Sequence, residues 1–262
     1  MSDRRQRQKE HRAAKREAER KRESRRELLK RLGTALLFGV AVIAVIMLSG
    51  LLRNGEPSLP AGYEDFRDQD TACGADQPPA EGVMSFGAPE TVEGLADASS
   101  ATVTLVTSCG DITIELELED SPETTNSFVF LANQGFYDGQ VIHRISEDYV
   151  FQGGDPHADG TGGPGYVIAD EFPAEGFVYE EGVVAMANRG ARSTGSQFFV
   201  VTGANGRFLT NQFNVLGRVV SGQDVMDAIM AVPTATAPGT VEKSLPLESV
   251  YIEAISVDIS DS

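Results

Sequence analysis

The chain has no tryptophan, two cysteines and three histidines among its 262 residues. Two cysteines cannot fill a four-ligand zinc site, and no histidine pair stands at ligand spacing to help them. His143, Asp155 and His157 are metal ligands by type, but the two histidines lie fourteen positions apart with no helix between to align them. No metal and no cofactor are expected. The glycine-rich stretch GDPHADGTGGPGY at 154–166 lacks the G-K-[ST] ending of a phosphate-binding loop, which leaves a tight surface loop as its reading. Ser196, in TGSQF, is not framed as a G-x-S-x-G elbow, which argues against a hydrolase triad. Basic residues are also scarce over most of the length. Of 22 Lys and Arg, fourteen fall within residues 1–32 beside six acids, a balance of +8; the rest of the chain holds eight basic and thirty-three acidic residues, −25. Such a split implies two environments.

The border between them is GTALLFGVAVIAVIMLSGLL, residues 33–52, twenty positions without a charge. As a helix it reaches about 30 Å, the depth of a bilayer's hydrocarbon core. A buried helix of a soluble domain is disfavoured, because the run is apolar on every face and follows a polybasic segment. A cleaved signal peptide is the better rival. Against it stand the long preceding segment, the length of the run and the lack of an A-x-A site after it. The expectation is a single transmembrane helix, with residues 1–32 a basic cytoplasmic tail and the remainder outside the cell membrane. The tail is read as a topology signal that attracts anionic lipid, and not as a nucleic-acid arm.

Residues 53–98 form a spacer rich in proline, glycine and acid, expected to be mostly irregular. Tyr63, Phe66, Met84 and Phe86 within it are apolar residues that a free linker does not need. Cys73 lies in the spacer and Cys109 beyond it. Outside the cytoplasm the pair is a disulfide candidate; the alternative is two unrelated small apolar residues.

The globular domain, residues 99–262, opens with two alternating segments, TVTLVTS and DITIELEL, around a short CG connection. Val103 and Leu105 share one face, and Ile112, Ile114, Leu116 and Leu118 another, the pattern of a β-hairpin with one buried side. SPETTNSFVFLANQGF reads as a helix with Ser121 as N-cap, Pro122 at the first position and Gly135 at the stop. Strands are expected at 140–145, in TGSQFFVVTG, in NVLGRVV and in SVYIEAISVDI, with a second helix in GQDVMDAIM. Many short strands and two helices imply a mainly β fold, a closed or nearly closed barrel. In SQFFVV the period of two sets Gln197 and Phe199 on one face and Phe198 and Val200 on the other. Glutamine, phenylalanine and an arginine from a neighbouring strand would make a shallow apolar surface with a few donors.

The blocks FYDGQVIHRISEDYVFQGGDP, GTGGPGY, DEF, GVVAMANRGARSTGSQFFVVTG and NVLGRVVSGQDVMDAI occur in this order. Together they closely resemble the cyclophilins, peptidyl-prolyl cis-trans isomerases, over about 165 residues; with the anchor, the chain resembles membrane-anchored bacterial members. The resemblance implies an eight-stranded antiparallel β-barrel capped by two α-helices. It implies that Arg144 is catalytic and that His143, Tyr149, Val150, Gln152, Ala187, Asn188, Gln197, Phe199, Phe208, Leu209 and Phe213 bind substrate. Tyr149 stands where the family usually has phenylalanine and Val150 where it often has methionine. Phe208 stands for a tryptophan of many members, after a one-residue insertion, and Phe213 for a histidine of many eukaryotic ones. The last two changes keep an aromatic and lose a donor, which puts binding of the family's inhibitor cyclosporin in doubt. The expected partners are proline-containing polypeptides and membrane lipid, not nucleic acid. The implied function is rotation about X-Pro bonds in proteins folding outside the cytoplasm. The alternative is a non-catalytic module that binds proline segments at the membrane.

Overall fold

Alternation in the first two segments of the domain builds a hairpin: β1 (Ser100–Thr107) and β2 (Gly110–Leu116) pair antiparallel, with Thr107 opposite Gly110. The turn between them is Ser108–Cys109. Thr107 Oγ1 accepts from the Cys109 N–H at 3.1 Å and donates to the Gly110 carbonyl at 2.7 Å, and Gly110 takes φ +123°, which a side chain would resist. This computed structural model describes residues 59–80 and 82–260. The basic segment 1–32 and the apolar run 33–52 lie outside the described residues, among which no helix is long and apolar enough to cross a membrane.

Six more strands join the hairpin: β3 (Arg144–Ser146), β4 (Val150–Gly153), β5 (Val183–Met186), β6 (Phe198–Val201), β7 (Val215–Ser221) and, after a separate two-stranded ribbon of β8 (Thr234–Thr236) and β9 (Lys243–Pro246), β10 (Ile252–Ser260). The result is a curled antiparallel sheet of eight strands in the order β10-β1-β2-β7-β5-β6-β4-β3. The expected barrel is therefore not a continuous ring of strand pairs. At the seam, residues 139–142 meet residues 250–252 through one bridge, Val141 with Tyr251, and backbone bonds such as Ile142 N–H to Val250 O at 2.9 Å. A glycine allows close backbone approach where β2 pairs with β7: a Cβ on Gly217 would collide with the Glu115 carbonyl.

Period-two patterning sorts the side chains into two apolar layers. Phe151, Val184, Met186, Phe198, Val200 and Leu216 enter the main core, which α2 (Pro122–Asn133) and α3 (Gln223–Met230) cover with Phe128, Leu131, Met226 and Ile229. Their neighbours in sequence, Val150, Val183, Ala185, Phe199, Val201 and Val215, form a second cluster on the opposite face. The start of α2 departs from expectation. Ser121 makes no side-chain cap. Glu171 replaces it, its carboxylate accepting from the Glu123 N–H at 2.9 Å, the Thr124 N–H at 2.8 Å and the Thr124 hydroxyl at 2.7 Å. A carboxylate suits the positive end of a helix better than a hydroxyl does.

The spacer is more ordered than its composition suggests. It contains α1 (Tyr63–Arg67) and two 3-10 turns, Ala72–Gly74 and Leu95–Asp97. Phe66 is fully buried with Val141, Leu245 and Tyr251, while Met84 and Phe86 pack on the main core. Cys73 and Cys109 form a disulfide with Cα atoms 5.1 Å apart, which fastens this segment to the tip of the first hairpin. Closing a loop across a sequence separation of 36 residues stabilises by about 3–4 kcal/mol in the chain-entropy model. Replacing both cysteines by serine should lower the free energy of unfolding by about that much in urea titrations.

His143 is buried, 8% exposed, and its Nδ1 has no hydrogen-bond partner among the described residues. Burial, only partly opposed by Asp155, lowers its pKa. The folded protein thus resists a proton that the unfolded chain accepts near pH 6.5. Stability should hold above that pH and fall as pH drops below it, by at most about 1.4 kcal/mol per pH unit from this residue. His143→Leu should flatten that limb in a pH series of urea titrations.

Candidate active site

Arg144, Gln152 and Phe199 stand opposite one another on three neighbouring strands. Arg144 of β3 faces Gln152 of β4, Gln152 faces Phe199 of β6, and Phe199 faces Ala185 of β5. Register therefore places a guanidinium, an amide and a phenyl ring in one row across the sheet. All three point to the face that carries the second cluster, because their neighbours Ile145, Phe151, Phe198 and Val200 occupy the main core.

The polar end of the row is a chain of hydrogen bonds. Arg144 Nη1 donates to Gln152 Oε1 at 3.4 Å, Gln152 Nε2 donates to Gln197 Oε1 at 3.0 Å, and Gln197 Nε2 donates to the Gly162 carbonyl at 3.0 Å. Each amide must offer its oxygen toward the arginine and its nitrogen away from it, so both orientations are fixed. The glycine-rich loop is the far anchor. A Cβ on Gly162 would collide with Asp155 Oδ1, so only glycine brings that carbonyl within reach. On its other edge Arg144 meets Glu242, with Nη2 to Oε1 at 2.5 Å and Nε to Oε2 at 3.4 Å. Its Cζ lies 5.4 Å from the Tyr149 ring centre, within cation–π range. The Arg144 side chain as a whole still keeps 26% of its surface in solvent. Burial pushes the Glu242 carboxyl up, but the charge of Arg144 and hydrogen bonds from Arg144, Ser146 and Ser244 outweigh it and hold its pKa below the ordinary value.

The apolar end is aromatic. Phe213 stands edge-on to Phe199 with ring centres 5.3 Å apart, and Tyr179 lies 6.2 Å from Phe213. The Tyr179 hydroxyl donates to the Phe213 carbonyl at 2.6 Å and accepts from its N–H at 3.2 Å. Burial pushes that hydroxyl up to about 12, so it stays a neutral donor. Asn214, next in the chain, donates to Thr124 and Ala169 and accepts from the Glu171 N–H, which ties the strand entrance to the cap of α2. Leu209, Ala187 and Tyr149 are half-buried around the rim of the cluster.

The sequence-based set is thus partly assembled. Arg144, Tyr149, Gln152, Gln197, Phe199, Leu209 and Phe213 share one surface, with Val150 2% exposed beneath it. Ala187 and Asn188 lie just beyond β5. The Ala187 N–H bonds the Gln197 carbonyl at 2.8 Å, and Asn188 Nδ2 donates to the Gln212 carbonyl at 2.6 Å. Two residues do not join. His143 is buried, with no hydrogen bond from its Nδ1 among the described residues, and Phe208 is 77% exposed on a 3-10 turn, outside the aromatic cluster. Three participants were not foreseen. Glu242, Tyr179 and the Gly162 carbonyl carry no local signal: an acid in an acidic chain, an aromatic ahead of an apolar run, and a backbone atom. Elsewhere, Asp155, His157 and Asp159 come within 4.8 Å of one another. Asp155 and Asp159 are engaged inside their own loop, accepting from the His157 N–H at 2.8 Å and the Thr161 N–H at 2.7 Å.

Known proteins similar to this chain are numerous. The family model described as cyclophilin type peptidyl-prolyl cis-trans isomerase/CLD matches residues 102–257. Peptidyl-prolyl cis-trans isomerase B of Streptomyces anulatus is 40% identical over 172 residues, covering 59% of this chain and 95% of that protein. A probable peptidyl-prolyl cis-trans isomerase B of Mycobacterium tuberculosis is 32% identical over 216 residues, 77% of this chain and 68% of the relative. The crystal structure of a cyclophilin type isomerase from Cryptosporidium parvum shares the fold, with a TM-score of 0.55 and 24% identity across 61% of this chain and 98% of that one. A second crystal structure of that isomerase, in the presence of the dipeptide Ala-Pro, gives a TM-score of 0.54 at 24% identity, over 60% of this chain and 98% of that one. With a matching family model over most of the described domain and a 40% identical relative aligned over 95% of its length, the chain belongs to the cyclophilin-type peptidyl-prolyl cis-trans isomerases and accelerates rotation about X-Pro bonds.

Proposed function

We propose that Arg144 drives this rotation by donating a hydrogen bond to the prolyl nitrogen as the bond twists. Amide resonance sets a barrier of about 20 kcal/mol, and no bond must be made or broken to cross it. Twisting makes that nitrogen pyramidal and exposes its lone pair. A donor that meets the lone pair binds the twisted amide better than either planar form, which is the requirement for catalysis. The observation that carries the reading is the row of Arg144, Gln152 and Phe199 in strand register. It sets a charged, half-exposed donor beside an aromatic wall. On this reading the proline ring lies against Phe199, Phe213 and Leu209; three ring methylenes at about 0.8 kcal/mol each contribute roughly 2 kcal/mol. Gln152, Gln197 and the backbone near Ala187 and Asn188 hold the flanking peptide. The Ala-Pro dipeptide in the related crystal structure supports proline-containing polypeptides as substrates.

The same proposal places the enzyme on the outer side of a membrane, tethered through residues 33–52, where it assists proteins folding outside the cytoplasm. The uncharged run and the basic segment before it support this. So does the Cys73–Cys109 bridge, since disulfides persist in oxidising compartments.

Arg144→Ala should leave the far-ultraviolet spectrum and thermal transition intact and lower kcat/KM for an X-Pro peptide by roughly 10- to 100-fold, the worth of one charge-assisted bond. Arg144→Lys should not restore it, because lysine lacks the planar fork. Turnover by the alanine variant within twofold of the parent would rule Arg144 out as the donor. Separately, the full chain should resist alkaline carbonate extraction from membranes, and an epitope at its C-terminus should bind antibody on intact wall-stripped cells. Release by carbonate or a shielded epitope would refute the tether.

A further inference from the structure

We propose that Glu242 is a positioning residue for the isomerase reaction, holding Arg144 by one edge of its guanidinium so that the remaining donors face along the row of Gln152 and Phe199. This rests on the reading of Arg144 as the donor.

Glu242 reaches the site from outside the eight-stranded sheet. It sits in the turn at the tip of the β8–β9 ribbon, immediately before β9, and β9 packs beside β3. The tip of that ribbon is internally braced. The Ala237 N–H bonds the Glu242 carbonyl at 3.0 Å, the Thr240 hydroxyl donates to the Ala237 carbonyl at 3.0 Å, and the Glu242 N–H bonds Thr240 Oγ1 at 3.0 Å. The glutamate backbone is therefore held on both sides. Its carboxylate meets two nitrogens of Arg144, and Ser146 on β3 and Ser244 on β9 help to hold its pKa down. With its backbone braced at the tip of the ribbon, the carboxylate is the fixed partner and the long arginine side chain the one being held.

The edge that Glu242 takes matters. It accepts from Nε and Nη2, the pair that matches a carboxylate in a fork. Nη1 is left toward Gln152, and Tyr149 covers one face of the guanidinium. The plane of the donor group is thus set before any substrate arrives. An unrestrained arginine would have to freeze its rotamers on the way to the twisted state. A carboxylate at this point also offsets part of the arginine's charge. The proposal holds that orientation outweighs that loss.

The test compares kcat and KM for an X-Pro peptide in the full chain and in Glu242→Ala, Glu242→Gln, Arg144→Ala and the double variant Glu242→Ala/Arg144→Ala. The alanine variant should lose roughly tenfold in kcat, of the order of one charge-assisted contact, with KM within twofold. The glutamine variant, which keeps an acceptor, should recover part of the loss. In the Arg144→Ala background, removing Glu242 should change nothing further. Full or increased kcat in Glu242→Ala would overturn the proposal, as would a loss that persists without Arg144. Should Arg144→Ala itself retain activity, the donor reading fails on its own account, whatever Glu242 does. If the glutamate variants do not fold, NMR of the parent protein decides. The Arg144 Nε–H should exchange slowly with solvent and its guanidinium should rotate slowly; rapid exchange and rotation would refute a clamp.

Discussion

Everything at the site depends on strands that are buried on both faces. In β6, Phe198 and Val200 enter the main core while Phe199 and Val201 pack outward with Tyr179 and Val183. β4, β5 and β7 divide their residues the same way. A strand with one solvated face would leave its outward side chains to the choice of rotamer. Here the outer face has its own packing, so Phe199 is fixed as firmly as a core residue and is only 4% exposed. A surface built this way can be shallow and still rigid, because the main core sets the pleat and the pleat sets the outer row.

Arg144 sits where that double packing ends. β3 is an edge strand of three residues, its outer side open to solvent and to the β8–β9 ribbon. A central strand could not present a guanidinium in this state, because full burial of a charge is costly unless it is paired and hydrogen-bonded. A loop could present one but would not fix its direction. An edge strand next to a buried row offers both: solvent for part of the charge, and a backbone held in register with Gln152. The reaction suits this arrangement. Rotation about an amide transfers no proton and forms no covalent intermediate, so the protein has to supply geometry and one well-placed donor.

How much of this could be read in the sequence follows from the range of each interaction. The outer and inner faces of SQFFVV were legible, since strand period needs only adjacent residues. So were the first hairpin and the two long helices. Arg144, Gln152, Gln197 and Phe199 came from family resemblance, and the structure sets them in one neighbourhood. What was not legible is long-range. Glu242 is 98 residues from Arg144, and nothing marks it among the other acids. The α2 cap went to Ser121 by local rule, yet Glu171, brought in by the fold, provides two carboxylate oxygens. Phe208 was matched to a pocket position by counting along an insertion, and its ring stands in solvent. His143, placed in the site by family resemblance, is buried just ahead of β3, where nothing in the sequence marks its burial.

The ordered spacer adds a constraint of its own. Composition marks 53–98 as linker, but Phe66 is fully buried against Val141, Leu245 and Tyr251. Val141 and Tyr251 belong to the seam where 139–142 and 250–252 close the curl of the sheet without a full strand pair. A seam with so few backbone bonds is the natural place for the sheet to open. The spacer covers it from outside, and the disulfide at Cys109 pins the spacer to the opposite side of β10 through β1 and β2. β3 begins two residues after Ile142, at Arg144 itself. Loosening of the seam would therefore be felt at the start of β3, which links the spacer to the position of the guanidinium.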